Sequence, residues 1–273
     1  MSFVFSEWEY FCSQVLSTHN CIRADEIPKK SPNNPWVSIK HDVETDVSKA
    51  YELAKIENKY GIKATYFVQS YLLEDNAALL KKIADLGHEV TYHYDVLDSN
   101  GGDFELALEE FTKTVNRFEE LGFPVNTVCP HGNPLMVRDG WTSNKDFFRN
   151  DKVVSLFPQI FDVVVQASQV IKSDFSYISD AGYSWKLIGN IDTNDISNVG
   201  DIEIANSKEV LGFISSCENI IISSHPHRWR KSNISALFQL AKFKLIRLVA
   251  KKLSKISILK KLMSKFYYLA KKI

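Results

Sequence analysis

The sequence predicts an α/β protein built round a barrel-like, mainly parallel sheet, with a helical tail of different character. Three observations predict it. Short apolar strands alternate with longer helical segments from Trp36 onward, the pattern of repeated βαβ units. The strands continue past the fourth, a count that suits a closed sheet better than a four-strand open one. The charge is divided along the chain. Of 33 Lys and Arg, 14 lie after Glu218, where there is no Asp or Glu, so the first 218 residues set 19 bases against 33 acids, a net of −14. The 273 residues suffice for one sizeable core, and 45% hydrophobic with 24% charged content excludes a disordered chain.

The elements follow in order. Ser6 and Glu9 have capping-box spacing ahead of Tyr10, Phe11, Val15 and Leu16, which predicts a first helix. Three prolines between Pro28 and Pro35 then impose a loop. Trp36–Lys40 reads as a strand. Asp46–Tyr60 has helical spacing (Ala50, Leu53, Ala54, Ile56) and ends at Gly61. Strands are predicted at Ala64–Val68, Glu89–Tyr92 and Val125–Val128, with helices at Ala77–Leu86 and Phe104–Leu121 between them. Later strands are predicted at Val163–Val165, Tyr177–Ile178, Lys186–Ile188 and Ile220–Ser223. These boundaries divide the chain into an N-terminal helix and loop (1–35), a barrel (36–231) and a basic tail (232–273).

Barrel chemistry sits at the C-terminal ends of strands. There the chain places His41-Asp42-Val43-Glu44, His93-Tyr94-Asp95, Pro130-His131-Gly132-Asn133, Asp180 with Trp185, and His225-Pro226-His227-Arg228-Trp229. Each group alone reads as a cap, a turn or a half-buried histidine. Five in one register converge on one face if the sheet closes, and imidazole with carboxylate is a ligand set for Zn²⁺ or a similar cation. The remaining carboxylate and histidine then supply a base and an acid. His19 and His88 follow no strand end and are set aside.

At this point the chain resembles the polysaccharide deacetylases of the NodB-homology type, over residues 36–230 and most specifically in the first half. The carriers are Val37 to Val68, including Gly61-Ile62-Lys63-Ala64-Thr65-Tyr66-Phe67-Val68, and Gly87-His88-Glu89-Val90 followed by His93. His41-Asp42-Val43-Glu44 is similar to the family's His-Asp-Val-Asp subgroup, with Glu in the last position. The resemblance implies a distorted (β/α) barrel and metal-dependent hydrolysis of an N-acylated sugar. Asp42 matches the base and Glu44 a metal ligand; a one-residue shift would make His41 base-like and Asp42 the ligand. The family's second motif is His-x-x-x-His, but here Leu97 follows His93 at that spacing, so one ligand is missing. His131 is the candidate replacement, chosen on its chemistry, giving Glu44, His93 and His131 as the expected ligands of a divalent metal, with Zn²⁺ the expected ion. Asp180 with Trp185 resembles the fourth motif and His225 the last, implying an acid His225 oriented by Asp180. Backbone N–H groups of the Pro130–Gly132 turn are candidate oxyanion donors. Tyr94, Asn133, Trp185 and Trp229 are candidate substrate contacts. The Leu97 departure keeps a catalytically impaired carbohydrate-binding pseudoenzyme open, beside a hydrolase of another linear amide.

The tail has no counterpart in that family. Ile258, Leu259, Leu262, Met263, Phe266, Leu269, Ala270 and Ile273 share one helical face, with five lysines on the other. This predicts a helix at an anionic membrane surface; the competing reading is a hairpin packed on the barrel or in a dimer. Nucleic acid is disfavoured because the aromatics lie on the apolar face rather than among the lysines. The N-terminus has early acids and no cationic stretch before an apolar run, and no stretch reaches the ~18 apolar residues of a spanning helix. Cys12, Cys21, Cys129 and Cys217 show no CxxC and read as reduced thiols. The expectation is a cytoplasmic enzyme, peripheral at the inner face of the plasma membrane, acting on a lipid- or nucleotide-linked saccharide for O-antigen or capsule biosynthesis.

Overall fold

A computed structural model describes residues 3–253 apart from 18, 30–34, 134–135, 172–173 and 198. The predicted amphipathic segment Ile258–Ile273, and Ser31–Asn34 of the proline-rich loop, lie outside the described residues.

The chain runs α1 (Phe5–Val15), β1 (Asn20–Ile22), a 3-10 turn (Ala24–Lys29), β2 (Trp36–Val43), α2 (Val47–Lys59), β3 (Thr65–Val68) and α3 (Leu73–Asp85). It continues through β4 (Glu89–Tyr94), α4 (Val96–Ser99), α5 (Phe104–Glu120), β5 (Thr127–Pro130), α6 (Asp146–Arg149), α7 (Asp151–Leu156), β6 (Phe161–Asp162) and α8 (Ala167–Val170). The last third holds β7 (Phe175–Ser179), β8 (Trp185–Ile188), β9 (Ile202–Ile204), α9 (Ser207–Ile214), β10 (Asn219–Ser224) and α10 (Asn233–Leu253).

The strands form one sheet in the order β6-β5-β4-β3-β2-β10-β7-β8-β9, with β1 paired to the start of β2. From β6 to β7 the neighbours are parallel, as the alternation of strands and helices requires. Strands β8 and β9 are antiparallel additions. The expected α/β architecture is therefore present, with one difference. No ladder joins β6 to β7 among the described residues; instead one apolar cluster contains Phe161 and Val163 from one limb with Tyr177 and Ile221 from the other. Side-chain packing, not hydrogen bonding, spans that gap.

Strand parity sets the two faces. Val37, Ile39 and Val43 of β2 join the larger cluster with Ala50, Leu53 and Ala54 of α2, so they face the helical layer. Trp36 belongs to the inner cluster, and Ser38, Lys40 and Asp42 share its parity. Gly61, at φ 73°, ends α2 while Ile62 N–H donates to Glu57 C=O at 3.0 Å; glycine adopts this left-handed turn without a Cβ penalty.

Three boundaries differ from expectation for local reasons. The Ser6–Glu9 capping box does not form. Val4 bridges Arg230 and Phe5 N–H donates to Arg230 C=O, so a long-range tie starts α1 two residues earlier, with Val4 as N-cap and Ser6 inside the helix. Helix α3 begins at Leu73 rather than Ala77 because a 3-10 turn, Ser70–Leu72, runs directly into it. The strand expected at Val163–Val165 ends at Asp162, whose Oδ1 accepts from Val164 N–H and Val165 N–H at 2.9 and 2.8 Å, closing a turn.

Candidate active site

The register brings the strand ends together. Asp42 pairs with Phe67, and Phe67 with Thr91, so Glu44, two residues beyond Asp42, stands level with His93. On the other side Ser224 pairs with His41, which sets His225 level with Asp42. Parity takes His41 out of the site, so only the other half of the shifted alternative stands: Asp42 offers a ligand atom within 4.8 Å of those of His93 and Cys129. His41 faces the helical layer, where its Nε2 lies 2.6 Å from Glu57 Oε1 and its ring stacks on Tyr66. Glu57 also accepts from Trp8 Nε1 at 3.0 Å and from Tyr66 hydroxyl at 2.6 Å. His88, set aside from sequence, is buried in this same structural network, with Nδ1 accepting from Ala64 N–H at 3.1 Å.

Ligand atoms of Glu44, His93 and His131 lie within 4.8 Å of one another. Glu44 Oε1 is 3.2 Å from His131 Nε2 and 3.9 Å from His93 Nε2. His93 Nδ1 lies 3.0 Å from Cys129 C=O. That contact fixes Nδ1 as the protonated nitrogen and leaves the Nε2 lone pair directed at Glu44, the arrangement a metal-binding histidine needs. His131 is positioned by its backbone, N–H to Tyr94 C=O at 2.7 Å and C=O from Asn144 Nδ2 at 2.8 Å. The Asn144 side chain is in turn held by buried Asp98, which also takes Arg138 on both oxygens and Trp141 Nε1. The donor set of one carboxylate and two imidazoles, with one imidazole held by a carbonyl behind it, fits a zinc-like cation.

The electrostatics fit as well. Burial would raise the Glu44 carboxyl, but the imidazoles of His131, His93 and His225 around it hold it well below the usual carboxylate range. Burial likewise opposes ionisation of Asp42, and Lys40, His93 and His225 more than reverse it. Lys40 was not foreseen. Its ammonium is buried and donates to both Asp42 oxygens at 2.7 and 2.8 Å. Ser223 Oγ donates to Asp42 Oδ2 at 3.2 Å.

Beside Asp42 stands a histidine–carboxylate pair. His225 Nδ1 is 2.5 Å from Asp180 Oδ1, and His225 Nε2 points into the site, 3.8 Å from Asp42 Oδ2 and 3.8 Å from Glu44 Oε1. Asp180 is fully buried and also accepts from Ser224 Oγ, His225 N–H and Arg228 Nη1. Burial would raise its carboxyl; Arg228 and His225 keep it below the usual value. His227, from the same strand-end group, has Nδ1 3.9 Å from Glu44 Oε2, and burial pushes its imidazole down to about 4.

The candidate substrate contacts are corrected. Tyr94 adjoins His93 in β4 and so faces the opposite side, where its hydroxyl donates to Asp162 Oδ2 at 2.6 Å among Phe111, Phe147 and Phe148. Trp185 is buried against Phe3. Trp229 is buried between Phe3 and Trp8, and its Nε1 donates to Ser224 Oγ at 2.9 Å. None of the three offers a ring face to a sugar. Asn133 is buried beside the His131 loop, with its carbonyl held by Arg138. In the Pro130–Gly132 turn, proline has no N–H and that of His131 is taken by Tyr94 C=O at 2.7 Å, so neither of these two is an oxyanion donor.

No family model and no curated protein matches the chain. Among solved structures, a family 4 carbohydrate esterase from Streptomyces lividans, in complex with acetate, is 16% identical, with 78% of this chain and 90% of that chain covered and a TM-score of 0.46. The catalytic domain of a peptidoglycan N-acetylglucosamine deacetylase from Eubacterium rectale is 14% identical, at 80% and 87% coverage and a TM-score of 0.46. A CE4 family pseudoenzyme from Bacillus anthracis is 17% identical, with 78% of this chain and 62% of that chain covered and a TM-score of 0.42; the chain spans less than two thirds of its length.

Proposed function

We propose that this protein is a metal-dependent hydrolase that removes the acyl group, an acetyl in the simplest case, from an N-acylated sugar in cell-surface polysaccharide biosynthesis. The observation that carries the reading is the convergence of Glu44, His93 and His131 on one point beside Asp42, with His225 Nε2 of the Asp180–His225 pair 3.8 Å from both Asp42 and Glu44. Glu44, His93 and His131 would hold the cation. When bound, such a cation polarises an amide carbonyl and lowers the pKa of bound water from ~15.7 toward about 7. Asp42, kept ionised by Lys40, takes the proton of the attacking water. Amide cleavage also needs a proton on the departing nitrogen, because an amine leaves poorly as an anion. His225 Nε2 faces the site and donates that proton, while Asp180 holds Nδ1 and stabilises the imidazolium.

The N-acyl sugar is the substrate that the resemblance to the NodB-homology deacetylases implies, and the chain's charge bears on where it is met. An N-acyl sugar carried on a nucleotide or a lipid, met at the cytoplasmic face of the membrane, suits an acidic body with a basic C-terminal segment. A second reading, a carbohydrate-binding protein with impaired catalysis, is favoured by one observation: Lys40 engages both oxygens of the proposed base. Turnover separates the two. The purified protein should release acetate from N-acetylated sugars, lose that activity on chelation, regain it with Zn²⁺, and lose it in His225→Ala. Saturable saccharide binding without acetate release at any metal load would select the second reading.

A further inference from the structure

Helix α10 spans 21 residues after the last sheet strand. At 100° per residue, Ala236, Gln239 and Phe243 lie on one stripe, and this stripe meets the body. Ala236 is buried, Gln239 Nε2 donates to the Tyr183 hydroxyl at 3.2 Å, and the Phe243 ring lies 4.7 Å from that of Tyr183. The opposite stripe carries Ile234, Leu237, Phe238, Leu245, Leu248 and Val249, all between 49% and 82% exposed. The helix thus turns its larger apolar face away from the barrel. The second arm of the hairpin alternative lies outside the described residues.

Charge decides what covers the stripe. Lys242 borders one edge and Lys244 the other, both exposed, and α10 contains no acid. A two-fold pairing of this face with its copy would set lysine against lysine, because such an interface is self-complementary. No helix among the described residues is long and apolar enough to cross a membrane, so an apolar stripe between cations is suited to lying in the plane of a surface. An anionic bilayer offers acyl chains to the stripe and headgroup charge to its borders. We infer that the outward face of α10 is a docking surface for an anionic lipid bilayer, lying along the headgroup–acyl boundary. This extends the location proposed above to named residues, and it is measured without turnover, so the two readings fail separately.

The test uses the full chain and phosphatidylcholine vesicles with or without phosphatidylglycerol. The full chain should sediment with the anionic vesicles at low salt, much less with the neutral ones, and be released as salt screens the charges. Phe238→Glu/Leu245→Glu should weaken binding at least tenfold while leaving the circular dichroism and thermal midpoint unchanged. A polarity-sensitive dye on Leu245→Cys, in a background with Cys21 and Cys217 changed to serine, should shift to the blue on binding. Three results would overturn the inference. One is unchanged vesicle binding by the double variant with the dye still reporting water, which would assign binding to residues beyond 253. The second is equal binding to neutral vesicles. The third is a concentration-dependent dimer, broken by the double variant, in a chain that ignores vesicles.

Discussion

Lys40→Met is the substitution in the site with the clearest physical expectation. The Lys40 ammonium is 1% exposed and sits 2.7 and 2.8 Å from the two Asp42 oxygens. Methionine has a similar length and volume, so the cavity left behind is small, and the main loss is the charge. Asp42 would then keep Ser223 Oγ as a hydrogen-bond donor but lose its buried counter-charge. Removing one partner of a buried ion pair costs about 3–5 kcal/mol. Removing both costs far less, because no uncompensated charge remains. The pair is intact over a wide range. The Asp42 contribution is present above the ordinary carboxyl value of 3.8 and is lost only as pH falls through its depressed folded value. That of Lys40, whose folded value is raised, is present below 10.5 and is lost only as pH rises past it. Urea unfolding at pH 7 should therefore show Lys40→Met destabilised by about 3–5 kcal/mol and Lys40→Met/Asp42→Asn recovering most of that loss. A single-variant loss below about 1 kcal/mol, or a double variant no better than the single, would refute the claim that Lys40 is the counter-charge of Asp42.

Three further expectations concern neighbouring groups. Asp42→Asn should keep its metal and lose turnover by ~10²–10⁴-fold, whereas Glu44→Gln should lose metal affinity; the reverse pattern in metal analysis would exchange their roles. Asp180→Asn removes the carboxylate that holds His225 Nδ1 at 2.5 Å, so turnover should fall by ~10²-fold or more with the metal retained; unchanged turnover would mean that the pair is not coupled. At the N-terminal end of the barrel, burial and the charge of Asp25 push the Glu89 carboxyl up to about 7, against hydrogen bonds from Thr65 and Thr127. A folded value above the ordinary 4.5 means stability that is full below 4.5 and lost as pH rises toward 7. Relative to Glu89→Gln, the native protein should lose up to about 3 kcal/mol over that interval, at ~1.36 kcal/mol per unit; a pH-independent difference in urea unfolding would contradict it.

What the sequence makes legible is what strand order and parity control. Asp42, Glu44, His93, Asp180 and His225 were identified as strand-end groups, and the register of β2, β4 and β10 sets them on one face. The same parity argument, carried one step further, separates His41 from Asp42 and Tyr94 from His93, and it pairs Lys40 with Asp42 as i and i+2 neighbours. Those signals were present, but chemical type outweighed position. The burial of Trp185 and Trp229 was not legible. It depends on Phe3 and Trp8, whose rings meet Trp185 at the start of β8 and Trp229 after β10, contacts between distant parts of the chain that no local pattern encodes. The Asx turn at Asp162 and the bridge of Val4 to Arg230 moved element ends for the same kind of reason, a specific hydrogen bond overriding a propensity.

The central claim is a single cation held by Glu44, His93 and His131. Its most direct test is the metal content of the purified chain and of His93→Ala, measured by elemental analysis after dialysis against trace Zn²⁺. The account predicts one equivalent in the native protein and loss of the ion in the variant, with the fold retained by circular dichroism. A full equivalent retained in His93→Ala would contradict it and place the metal elsewhere.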